Sequence, residues 1–184
     1  MPETSPEHGA DATAPLPTLD PAGFPFIHGI ERALRHRGTP LVRLTGPDRT
    51  RPATFRITCG PTGSTEWECL VVIDEHRETV AIRSILPIDV PPERLAPVAT
   101  LVAHLNATRV VGHFAIEPAS GRIVHVSGVR LSGLATDPES LMWLLGENLL
   151  AVDLHLAMFL VVAWTDIPPE AAMREGGVAV ATAA

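Results

Sequence analysis

The chain has 184 residues, with 21 acidic side chains against 14 basic ones and a formal net charge of −7. Phosphate backbones are bound by clustered Lys and Arg, so this balance argues against a nucleic-acid footprint. The length suits one domain with a substantial core, and two cysteines without CxxC or Cys/His ligand spacing signal neither a disulfide scaffold nor a zinc site.

Residues 1–22 mix Pro, Ala, Thr and acids without periodicity, the composition of a disordered tail. They carry no cationic start and no apolar core, so no signal peptide is read and a cytoplasmic protein is expected. One folded domain is expected over residues 23–173, with a second disordered tail at 174–184.

From Phe24 to His36, the spacing of Phe26, Ile30, Ala33 and Leu34 predicts a short amphipathic helix, with Gly38 where a terminating glycine belongs. Strands are predicted over Leu41–Thr45, Ala53–Cys59, Trp67–Ile73 and Thr79–Ile85, separated by Gly/Pro/Asp-rich loops. Leu70 to Ile73 run together without alternation, which predicts a central strand covered on both faces. Pro87, Pro91 and Pro92 are expected to end the fourth strand, with Asp89 as a candidate N-cap for the next helix. That helix carries Leu95, Val98, Leu101, Val102 and Leu105 on one side and ends at Asn106. Proline inside a helix costs about 3 kcal/mol, so Pro97 places the regular start near Ala96 or kinks the helix there.

A strand through Phe114, a glycine-containing hairpin loop at Glu117–Arg122 and a returning strand at Ile123–Leu131 come next. Thr136 or Asp137 as N-cap, Pro138 and Glu139 then open a long helix, which Ile167 and Pro168 stop ahead of a short turn and a frayed tail. The fold class expected is α+β: an antiparallel sheet of five to six strands with helices mainly on one face, in the order α-β(3-4)-α-β(2)-α.

The long helix is apolar on more sides than a sheet can cover, which calls for a second chain or a partner. Leu145, Leu149, Val152, Leu156, Phe159 and Leu160 are the candidate interface residues. The run from Leu149 to Trp164 is broken by Asp153 and His155 and is shorter than the roughly 20 residues of a span, so no membrane is expected as a partner. Trp67, Phe114 and Trp143, with Phe159, are the candidates for lining an apolar pocket between the sheet and this helix.

His113 and His125, brought near each other by the hairpin, are the best histidine pair, but a zinc site normally needs three or four protein ligands. No GxSxG elbow, phosphate-binding loop or GxGxxG turn occurs. Catalytic, cofactor-binding and metal residues are therefore expected to be absent.

Four local features stand in a fixed order: WECLVVIDE from Trp67, the link SILPIDVPPERLAPV, the helix-ending Leu105–Ala107 (LNA), and GHFAIEP before a glycine turn. In that order, over residues 24–173, the chain resembles the YbjN-domain family, whose fold is similar to type III secretion chaperones. The resemblance implies a non-enzymatic α+β domain, often a homodimer, that binds other proteins or acts as a sensory or transcriptional regulator. The expected function is thus a protein-binding or regulatory module that pairs with itself and with an unidentified protein. The alternative is a small-molecule sensor using the apolar pocket.

Overall fold

The computed structural model describes residues 23–46, 51–60, 65–130 and 138–182. In chain order these form α1 (Pro25–His36), β1 (Leu41–Thr45), β2 (Ala53–Cys59), β3 (Trp67–Asp74), β4 (Thr79–Asp89), a 3-10 turn (Pro92–Arg94), α2 (Leu95–Ala107), β5 (His113–Ile116), β6 (Arg122–Arg130), α3 (Pro138–Trp164) and α4 (Pro169–Thr182). The six strands make one antiparallel sheet in the order β1-β2-β3-β4-β6-β5. The α+β class expected from the sequence is the one observed.

Alternation does the sorting. In β2 and β3 every second residue is buried, and register aligns Phe55, Val71, Ile82 and Ser127 in one row beneath the helices. The neighbouring row on the opposite face, Val42, Arg56, Leu70, Arg83 and Val126, is buried only partly or not at all. The apolar run in β3 therefore marks a central strand covered by helices on one face, not two.

Three polar contacts between elements hold the helices, two of them long-range and one, Asn106 with Phe114, only eight residues apart. The N-terminus of α1 has no side-chain cap of its own. Instead, the Glu75 carboxylate, in the turn after β3, accepts from Phe26 N at 2.9 Å and Ile27 N at 3.0 Å. That satisfies two orphan donors and places an anion at the positive end of the helix dipole. Arg94 of the 3-10 turn donates to the carbonyls of Val162 and Thr165, closing the other end of α3. The Asn106 side chain bonds both the N–H and the carbonyl of Phe114, at 2.8 and 2.9 Å, and so covers part of the outer edge of β5.

Several local expectations are corrected. Pro87 does not end β4, which runs to Asp89. The ladder with β3 stops at Ile85, and the pairing with β6 is irregular just beyond, so no hydrogen bond is lost there. Asp89 is accordingly a strand residue and caps nothing. The start expected near Ala96, by contrast, is met: α2 begins at Leu95, and Pro97 is its third residue, where the missing N–H would have no helical partner anyway. The expected turn and tail after Pro168 give way to the helix α4, because Ala172 is buried and Met173 packs on the core. The expected tail at 1–22 and the caps Thr136 and Asp137 lie outside the described residues.

Candidate functional site

The inner side of α3 is sealed. Val152, Phe159 and Val162 have no exposed surface, and Leu144 and Leu145 are buried beside them. At its centre Asn148 reaches into the sheet: its amide oxygen accepts from Ser84 Oγ at 2.7 Å, and its nitrogen donates to Ser127 Oγ at 2.9 Å and to the Ile82 carbonyl at 3.2 Å. A fully partnered amide in an apolar layer fixes where the helix sits along β4 and β6.

The outer side is not covered. Trp143 is 57% exposed and Trp164 62%, and between them Leu150, Leu154 and Leu160 remain exposed. On a helical wheel Trp143, Gly146, Leu150, Leu154, Ala157 and Trp164 fall along one stripe, with Asp153 and Leu160 at its margin. By length and composition Glu139–Trp164 could cross a membrane. The fold supplies another reason for that composition on the inner side, and the two tryptophans give the outer side an aromatic character.

Beside Leu150 and Leu154 lies a groove of about 300 Å³ between the end of α2 and the middle of α3. Leu105, Val111, Leu150 and Leu154 make its apolar walls, and Arg109, Glu147 and His155 supply its polar groups. The Arg109 guanidinium lies 5.3 Å from the Phe114 ring centre, a cation–π contact, and its buried Nε finds no acceptor among the described residues. Burial holds Arg109 below its usual pKa, and the nearby Glu147 charge only opposes that shift. His155 Nδ1 lies 2.7 Å from the Ala151 carbonyl and so must be the protonated nitrogen, leaving Nε2 as an acceptor. Burial, more than the Arg109 charge, lowers the pKa of this ring.

Phe114 is the hub of the layer beneath. Its ring centre is 4.7 Å from His125, 5.6 Å from His155 and 5.0 Å from Phe159. His125 has no exposed surface, and neither of its ring nitrogens has a hydrogen-bond partner among the described residues. Burial first and the Arg109 charge second push its pKa down to about 4, so the ring is neutral. Gly112 makes this packing possible: with φ of 70°, its backbone lies so close that a Cβ would stand 2.6 Å from His125 Cε1.

The sequence-derived candidates are redistributed by this geometry. Of the six interface residues, Leu145, Val152 and Phe159 are core, Leu149 and Leu156 are partly buried against it, and Leu160 alone is exposed. The apolar side chains that α3 leaves exposed are, besides Leu160, Trp143, Leu150, Leu154 and Trp164. Trp67, Phe114 and Trp143 stand in three different places. Trp67 is buried under the β2 side of the sheet, Phe114 sits on the edge strand β5, and Trp143 faces outward. Phe114 and Phe159 do meet. His113 and His125 are on adjacent strands but opposite faces, because His125 pairs with Phe114 and His113 with Val126. His125 and His155 both flank the Phe114 ring, a grouping the sequence reading did not make. Cys59 and Cys69 are both free and buried as hydrogen-bonded neighbours, an arrangement that raises the pKa of Cys69. No group of three or more potential metal ligands occurs among the described residues.

No protein-family model matches the chain, and no curated protein is detectably similar to it. Among solved structures, a chain from the crystal structure of the ExsC–ExsE complex is similar over 72% of this chain and 91% of that chain. The TM-score is 0.48 and the sequence identity 10%.

Proposed function

We propose that the protein is a non-catalytic protein-binding module that pairs with a second copy of itself through the outer face of α3. The observation that carries this reading is the stripe from Trp143 to Trp164, uncovered on a helix whose opposite side is sealed. An isologous contact must be self-complementary. With two copies antiparallel about the midpoint between Asp153 and Leu154, Trp143 stacks on Trp164, while Leu150 meets Ala157 and Gly146 meets Val161, larger against smaller. Asp153 and Leu160 lie at the margin, where charge is tolerated. The partly apolar sheet face bearing Val42, Leu70 and Val126 then stays open for a further partner. The YbjN-like motifs support the same reading, and with it a regulatory or chaperone role in the cytoplasm.

Sedimentation equilibrium tests it. The expected result is a dimer in the micromolar range that Leu150→Asp converts to a monomer with an unchanged far-ultraviolet circular dichroism spectrum, its melting temperature lower only by the lost stabilisation from pairing. A wild-type monomer at every concentration would remove self-pairing from the account.

A further inference from the structure

We propose that the groove between the end of α2 and the middle of α3 binds a free, apolar α-amino acid. The groove shares the Leu150 and Leu154 side chains with the pairing stripe, whereas its polar groups Arg109, Glu147 and His155 are not part of that stripe. Sedimentation reads pairing and ligand titration reads binding, so failure of one is told apart from failure of the other.

The groove offers one cation, one anion and one neutral acceptor within apolar walls. Arg109 and Glu147 both line it and feel each other's charge, yet they do not close into an ion pair. Arg109 retains a buried Nε–H without an acceptor, and a planar guanidinium binds a carboxylate through two parallel N–H donors. An anion alone would answer Arg109 but would meet the Glu147 carboxylate. A cation alone would answer Glu147 and leave the guanidinium uncompensated. A zwitterion satisfies both. Its carboxylate accepts from Arg109, and its ammonium donates to Glu147 and to the His155 Nε2 lone pair, which the Nδ1 bond to Ala151 leaves available. Leu105, Val111, Leu150 and Leu154 then enclose an apolar side chain. A volume of about 300 Å³ lies at the small end of ligand sites, which suits a single amino acid better than a nucleotide.

Titrating L-leucine into the full chain, followed by the amide resonances of Gly112 and Leu150 and the Nε–H resonance of Arg109, tests this. Saturable shifts at these three positions are expected. Leucinamide, which lacks the carboxylate, and 4-methylpentanoate, which lacks the ammonium, should each bind about tenfold more weakly or worse, the usual cost of one charge-assisted hydrogen bond. L-Alanine should also bind more weakly. Arg109→Gln and Glu147→Gln should each reproduce the corresponding loss, while Trp143→Ser leaves binding intact. Absence of shifts at millimolar leucine, or equal binding of leucine and its two analogues to the wild type, would overturn the proposal.

Discussion

The two sides of α3 have much the same composition and opposite fates. Toward the sheet, Leu145, Val152 and Phe159 are buried around an Asn148 whose hydrogen bonds are all made, whereas away from it Trp143, Leu150 and Trp164 stand in the open. Apolar character by itself thus distinguishes neither core from interface. What separates them is the polar anchor: the side that carries a buried, fully satisfied amide is the one held to its own chain.

Substitutions on the two sides should therefore differ sharply in cost. The largest effect is expected at Phe159, which touches Phe114 and has no exposed surface. Phe159→Ala should cost about 3–5 kcal/mol in denaturant unfolding, because a buried cavity is left behind.

The hub beneath the groove should make the inner side sensitive to acid. His125 titrates near 4 in the folded chain against 6.5 when unfolded, so between these values the unfolded state holds more protons. Its contribution is complete above pH 6.5 and lost as pH falls toward 4, by about 3 kcal/mol. His155, shifted in the same direction by burial, adds to the same loss. His125→Phe should flatten that part of the stability profile, measured as the difference from wild type between pH 7 and pH 4. An unchanged slope would show that the ring is protonated in the folded state.

Glu75→Ala, which uncaps α1 from the far side of the sheet turn, should cost about 1–2 kcal/mol. Smallest of all, Trp143→Ser and Trp164→Ser should each change the stability of the isolated chain by about 0.5 kcal/mol or less. A loss at Trp143 comparable to that at Phe159 would erase the distinction between the two sides.

Strand alternation and hairpin spacing were enough to read the six strands, their antiparallel pairing and the order of the first three helices. The side of α3 was not legible, since a helix apolar all round offers several stripes at equivalent spacing and periodicity does not choose among them. The signal that does choose is Asn148, one amide in an otherwise apolar stretch, whose partners Ser84 and Ser127 lie 64 and 21 residues away. The groove was hidden for a similar reason: Arg109, Glu147 and His155 come from a loop and from one helix that meet only in the folded chain. The cap of α1 by Glu75 spans 48 and 49 residues. For α4, Gly176 and Gly177 pointed to a tail, but packing of Ala172 and Met173 outweighs their low helix propensity.

Chemical crosslinking across the proposed two-fold tests the central claim most directly. Copies carrying Trp143→Cys are mixed with copies carrying Trp164→Cys and treated with a short bismaleimide, Cys59 and Cys69 being buried. Antiparallel pairing through the outer face of α3 predicts a crosslinked mixed dimer and little product from either variant alone. Crosslinks equally abundant in the unmixed samples, or none in the mixture, would contradict it.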